Sequence, residues 1–228
     1  MPEETNRILV DHCSQWLFCP SESAVENLGQ EGIRDGVHRS GDVMYDVLLW
    51  HRSRAASRSD ILAAMGLQPG EYALATVHRA ENTDDPRRLG VLLGALDEVS
   101  KRGLPVVVPL HPRTRKAVRE GGLETGSLRV AAPASYETML CLALNSRVVL
   151  TDSGGVQKEA YWLGIPCVTL REETEWPETL RGGWNVVAGV DAKRILDATF
   201  RQPPQTERPP VYGNGRAAQR IVAILAGI

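Results

Sequence analysis

The stretch TDSGGVQKEAYWLG, residues 151–164, follows directly on the apolar run Arg147-Val148-Val149-Leu150. The apolar run predicts a buried strand over 148–151, and the residues after the two glycines carry helical spacing. Strand, glycine turn and helix make the unit from which parallel α/β sheets are assembled. The turn itself has two readings. Two glycines allow a tight strand-to-helix turn with Ser153 as helix cap, which is a matter of packing. A helix start without Cβ atoms in the way also exposes N–H groups and the positive end of the helix dipole, which suits a phosphate.

Working outward, further apolar runs predict strands at 72–77, 105–110, 128–132, 167–170 and 185–188. Helical patterns at 86–102, 113–120, 136–145, 155–163, 178–181 and 192–200 lie between and after them. Continuous apolar strands separated by helices predict an α/β fold, a Rossmann-like parallel sheet with helices on both faces. Ahead of this region the pattern gives a helix through 6–14, a strand at 16–19, a helix at 21–31 and a strand at 37–40. One long helix then runs from 43 to about 65, with Gly66 as its stop. The segment PPQTERPPVYGNGRAAQRIVAIL, 203–225, reads as a proline-rich connector leading to a last helix. No GxGxxG follows the strand at 72–77, which argues against a dinucleotide enzyme; neither cofactor nor metal is expected.

The bulk numbers agree with a globular chain. At 228 residues, 43% hydrophobic and 24% charged, it can bury a real core. A formal net charge of −2 gives no electrostatic reason to expect nucleic acid or an anionic membrane surface. The longest apolar stretches, such as 104–110, are too short to span a bilayer, and the acidic start MPEETNR does not read as a signal peptide. Cys13, Cys19, Cys141 and Cys167 form no CxxC pair and sit in apolar patterns; buried free thiols in a reducing cytoplasm are expected.

Open α/β sheets bind ligands at the carboxyl ends of their strands. The unusual polar clusters fall there: His78-Arg79-Ala80-Glu81-Asn82, His111-Pro112-Arg113, Asp152-Ser153-Gly154-Gly155 and Arg171-Glu172-Glu173-Thr174-Glu175. Ser153, Gly154 and Gly155 supply an anion cradle, with His78 and Arg171 adding hydrogen bonds and charge. Glu159, one helical turn beyond Gly155, repels phosphate but suits sugar hydroxyls, so a nucleoside diphosphate fits better than a bare phosphate. Each cluster alone is equally compatible with a structural turn, a strand-end histidine or a solvated loop. Their convergence on one rim favours function.

PEETNR at 2–7, SESAVENLGQEGI at 21–33, GDVMYD at 41–46, TVHRAEN at 76–82, TDSGGVQKEA at 151–160 and LREETEWPE at 170–178 occur in that order. Together they resemble the non-hydrolysing UDP-N-acetylglucosamine 2-epimerase family. The resemblance implies two Rossmann-like domains in a GT-B arrangement, of which this chain holds the later part. Residues 1–42 are then a remnant of the N-terminal domain, 43–206 the C-terminal UDP-binding domain, and 207–228 a connector and helix crossing back. The implied reaction interconverts UDP-GlcNAc and UDP-ManNAc by elimination and readdition of UDP. Glu3 matches a family carboxylate implicated in the chemistry and Arg7 a position near the substrate. His78, Ser153, Gly154, Gly155 and Glu159 match UDP-binding positions, with His78 and Glu3 as the catalytic candidates and Arg171 as a further substrate contact. Other acid/base carboxylates of the family have no counterpart here, so the chain alone is expected to be inactive, and a homodimer or association with a missing N-terminal domain is expected. The alternative is a non-catalytic nucleotide-sugar binding module. Met139 stands where many members place an aromatic, and Trp176 where an arginine is common.

Overall fold

The structure, a computed structural model, describes residues 2–227 apart from the side chains of Pro2, Glu3 and Ser59. The chain opens with α1 (Pro2–Cys13), β1 (Leu17–Cys19), α2 (Glu22–Gln30), β2 (Val37–Arg39), α3 (Val43–Ala56) and α4 (Ser59–Ala64). It continues through β3 (Ala73–Thr76), α5 (Ala80–Thr83), α6 (Pro86–Lys101), β4 (Val106–Pro109), α7 (Pro112–Glu120), β5 (Arg129–Ala131) and α8 (Tyr136–Leu144). The rest is β6 (Val148–Thr151), α9 (Gly154–Leu163), β7 (Cys167–Thr169), a 3-10 segment at Pro177–Gly183, β8 (Asn185–Val187), α10 (Ala192–Phe200) and α11 (Ala217–Ala226). Packing divides the chain into two compact units: residues through Trp50 together with those from Pro209 onward, and His51–Arg208.

The larger unit is built on a parallel six-stranded sheet in the order β5-β4-β3-β6-β7-β8. From β3 the chain moves outward through β4 and β5, then returns to the other side of β3 for β6, β7 and β8. The strand order therefore reverses between β3 and β6, the place where open parallel sheets part their loops and leave a crevice. The pleat explains the apolar pattern. Ala73, Ala75 and Val77, with Val106, Val108, Val148, Leu150, Val168 and Leu170, point to one face and pack under α6 and α10. Leu74, Val107 and Val149 point the other way and are equally buried, and α9 lies against β6 and β7 with α8 and α4 beside it.

Every observed strand lies inside a run expected from the sequence. The single helix expected over 43–65 is instead two, broken after Ala56, with Arg58 at φ −86° and ψ 49° before α4. The break lets the Arg58 carbonyl accept a hydrogen bond from Cys141 Sγ at 3.4 Å, and α4 packs on α8. Cys13 is exposed, contrary to expectation, because it ends α1 on a solvent-facing turn; Cys19, Cys141 and Cys167 are buried thiols. Among the described residues, no helix is long and apolar enough to cross a membrane.

In the smaller unit β1 and β2 pair in parallel, Leu17 opposite Val37 and Cys19 opposite Arg39. Ser21 caps the crossover helix α2 by accepting from Ala24 N at 3.3 Å, and Leu28 packs on Leu17 and Cys19. The end of the chain closes this unit. Asp42 N donates to the Tyr212 carbonyl at 3.0 Å, and the Asp46 carboxylate accepts from Ala217 N and Ala218 N at 3.1 and 2.8 Å. Arg216, at the N-cap of α11, gives no side-chain cap, so Asp46 of α3 supplies it. Gly41 and Gly213 permit the approach: both have φ near +90°, and a Cβ on either would lie 3.0–3.1 Å from backbone of the other segment.

Candidate functional site

The carboxyl edge at the β3/β6 reversal is organised from the strands upward. Thr76, Thr151 and Thr169 stand opposite one another across β3, β6 and β7. Thr76 Oγ1 and Thr151 Oγ1 are 2.5 Å apart, and Thr151 Oγ1 accepts the Ser153 N–H at 2.9 Å. The turn is thus held from the strand side. Ser153 occupies the N-cap position of α9 with extended backbone, φ −86° and ψ 123°, yet its side chain makes no cap hydrogen bond. The capping expected of it is not made, and the first N–H groups of α9 are not taken up by Ser153 Oγ.

Gly154 is buried, and the space a Cβ would fill is occupied by protein. Such a Cβ would lie 2.8 Å from Glu175 Oε2 and 2.8 Å from Trp176 Nε1. The glycine therefore lets the loop after β7 close on the first turn of α9. That loop is tied down further: Thr174 Oγ1 donates to Gln157 Oε1 at 2.6 Å, and Trp176 N donates to Thr174 Oγ1 at 3.0 Å. The buried Lys158 of α9 sets its Nζ 3.8 Å from the centroid of the Trp176 ring, a cation–π contact. Gly155 follows on the half-buried side of the helix.

Asp152, which the sequence places in a rim cluster without a role of its own, organises the edge. It is fully buried, and its carboxylate accepts from His78 N at 3.0 Å, Arg79 N at 2.9 Å and Asn82 Nδ2 at 3.1 Å. One carboxylate thereby fixes the β3–α5 loop against the end of β6. His78 Nδ1 lies 3.5 Å from Asp152 Oδ1, and the His78 side chain is 40% exposed. The His111 ring stands 6.0 Å away, centroid to centroid.

Arg171 is only 2% exposed, and its guanidinium is turned to two carboxylates. Nε donates to Glu81 Oε1 at 2.8 Å and Nη1 to Glu175 Oε1 at 2.7 Å, while Arg79 Nη2 reaches the same Glu175 oxygen at 3.0 Å. Burial works against the Arg171 charge, but Glu175 and Glu81 outweigh it and hold its pKa above the ordinary value. Arg171 stands under the rim as its brace. Of the two arginines on Glu175, Arg79 is the more exposed.

Glu159 lies one turn along α9 from Gly155, beside the Tyr136 phenol at the start of α8. Burial pushes its carboxyl above the usual carboxylate range, against the pull of Tyr136 and Lys158. The same burial, with Glu159 beside it, raises the Tyr136 phenol. His78, Ser153, Gly154, Gly155, Glu159 and Arg171 therefore share one edge of the larger unit. Arg7 belongs to the smaller unit, where its guanidinium bonds Glu4, Asp11 and Glu31 at 2.6–2.7 Å. Glu3 is in α1 by its backbone, and its side chain lies outside the described residues.

A parallel sheet with this order reversal, fronted by a glycine-led helix at the reversal, defines a Rossmann-like α/β protein. The chain belongs to the UDP-N-acetylglucosamine 2-epimerase family, whose sequence pattern matches residues 1–226. A UDP-N-acetylglucosamine 2-epimerase homolog of Methanococcus maripaludis is 41% identical over 100% of this chain and 65% of its own length. The UDP-2,3-diacetamido-2,3-dideoxy-D-glucuronate 2-epimerase of Pseudomonas aeruginosa is 43% identical, over 99% of this chain and 64% of its own. Among solved structures, the Methanocaldococcus jannaschii UDP-GlcNAc 2-epimerase in complex with UDP-GlcNAc and UDP superposes with a TM-score of 0.90 at 35% identity. That match covers 100% of this chain and 65% of the other, so this chain spans just under two thirds of the length of its relatives.

Proposed function

We propose that this chain carries the UDP-binding part of a UDP-N-acetylglucosamine 2-epimerase. The observation that supports it is the convergence of the α9 N-terminus, Ser153 and the His78–Arg79 loop on the β3/β6 crevice. In this reading the diphosphate sits at the first N–H groups of α9, where the helix dipole and Ser153 Oγ meet negative charge. Gly154 keeps the loop after β7 close. Glu159 takes the ribose hydroxyls with the acceptor sites that Tyr136 does not use. His78 and Arg79 face the leaving diphosphate.

Epimerisation at C2 breaks the anomeric C1–O bond and the C2–H bond, and then remakes both with hydrogen on the opposite face. Donors aimed at the departing diphosphate stabilise the charge that develops as the C1–O bond breaks. Proton transfer at C2 falls to carboxyl groups, with Glu3 as the candidate here and the others on polypeptide beyond this chain. Arg7 lies near the substrate in the assembled enzyme, and Arg171 acts through Glu81 and Glu175. The partners are the nucleotide sugar and either a second copy of the enzyme or an N-terminal domain, in the cytoplasm.

Calorimetric titration with UDP tests the binding half of this reading: saturable binding lost in Ser153→Ala/Glu159→Ala supports it, and absence of binding by the folded chain refutes it. NMR of UDP-GlcNAc/UDP-ManNAc interconversion tests the rest. These 228 residues alone are expected to be silent, and supplying the N-terminal part that the relatives have is expected to restore turnover. The Pseudomonas relative favours a second reading, in which the sugar is a 2,3-diacetamido uronate on the same UDP. Comparing turnover of the two nucleotide sugars by the completed enzyme separates them.

A further inference from the structure

The carboxylate of Asp152 does more than brace a loop. Its two oxygens are used unequally. Oδ2 receives Arg79 N at 2.9 Å, Asn82 Nδ2 at 3.1 Å and His78 N at 3.0 Å, whereas Oδ1 faces His78 Nδ1 at 3.5 Å and shares the His78 N–H at 3.1 Å. An oxygen that only accepts, buried away from water, favours a proton on the ring nitrogen in front of it. We propose that Asp152 is a positioning residue for His78: it holds the imidazole with Nδ1–H directed inward and Nε2 presented at the open edge of the sheet. This rests on the reading of that edge as the diphosphate site, where Nε2 is then the ring atom that meets the ligand.

The groups facing the imidazole are few. Across from β6 comes Asp152, from the start of α7 comes His111 with its ring centroid 6.0 Å away, and in its own loop Arg79 is turned to Glu175. Neutral histidine in water favours the proton on Nε2, so the reverse tautomer at His78 is a distinctive state. Asparagine at 152 makes a sharp test. It retains a single acceptor oxygen, and the backbone and Asn82 donors that converge on the Oδ2 position claim it. Its NH2 group then faces His78 Nδ1 and needs a lone pair there, which moves the imidazole proton to Nε2.

The experiment is 15N NMR of the histidine side chains in the labelled full chain, with His78 assigned by His78→Gln. In the wild type the neutral imidazole is expected with Nδ1 protonated, and in Asp152→Asn with Nε2 protonated. A wild-type His78 in the Nε2–H form, or a tautomer unchanged in a folded Asp152→Asn protein, overturns the proposal. Should Asp152→Asn not fold, the wild-type spectrum decides alone. Adding UDP separates the two readings: the proposed tautomer with an Nε2 signal that does not respond to UDP keeps the Asp152 role and refutes the diphosphate site.

Discussion

Replacing Gly154 by alanine adds one carbon at the most crowded point of the site. The new Cβ would stand 2.8 Å from both Glu175 Oε2 and Trp176 Nε1, closer than such contacts occur. Glu175 could swing aside only by giving up its charge-assisted bonds from Arg171 at 2.7 Å and Arg79 at 3.0 Å. Trp176 is a rigid indole with Lys158 3.8 Å from its ring centroid. Overpacking of this kind costs about 1–3 kcal/mol, and the better helix propensity of alanine offsets at most about 1 kcal/mol. At the midpoints of these ranges the net loss is about 1.5 kcal/mol, which corresponds to a melting temperature lower by about 3–6 °C in a domain of this size. Thermal unfolding followed by circular dichroism measures it without reference to any ligand. The double variant Gly154→Ala/Trp176→Leu should lose less than the sum of the two single changes, since the indole that the methyl strikes is gone. A melting temperature unchanged or raised in Gly154→Ala would refute the argument that the glycine exists to admit the loop.

Further outcomes follow from the same geometry. Glu159→Ala should weaken UDP binding by calorimetry far more than binding of 2′,3′-dideoxy-UDP, and equal losses would make Glu159 a support of the fold. Because burial raises the Glu159 carboxyl above its ordinary 4.5, the folded state binds the proton more tightly than the unfolded chain. Stability therefore falls as pH rises from the unfolded value through the raised one, and Glu159→Gln should flatten that part of a denaturation-versus-pH curve. Tyr72, fully buried, donates its hydroxyl to the Leu142 carbonyl at 2.6 Å; Tyr72→Phe should cost about 1–2 kcal/mol by urea denaturation and leave UDP affinity unchanged. In the completed enzyme, Glu3→Gln should lower turnover about 100- to 10,000-fold with nearly unchanged UDP affinity, the loss expected of a general acid or base.

The strands β3, β4, β6 and β7 were legible because each is a nearly continuous apolar run, as a parallel strand covered on both faces has to be. The rim was legible for a related reason: polar clusters that interrupt such runs mark their carboxyl ends. What escaped the sequence depends on partners far along the chain. Asp152 and His78 are 74 residues apart, so nothing local announces that the carboxylate organises the loop. Arg171 reads from the sequence as a ligand contact on the rim, and only the fold brings Glu81 of another loop onto its Nε. The break between α3 and α4 has no glycine or proline to mark it. Its cause is tertiary, in the contact of Arg58 with Cys141.

The Asp46 cap on α11 sets an order for events at the ribosome. Residues through Trp50 are made before the whole of His51–Arg208, and the helix whose amides their Asp46 receives is made after it. The early segment has to wait, holding only a short parallel pair and its crossover helix, while the larger unit folds as an insertion within it. Only when Ala217 and Ala218 emerge does Asp46 gain its amide partners and the segment around Gly41 its neighbour at Tyr212. A chain cut short before Ala217 would therefore carry a finished large unit tethered to an open smaller one.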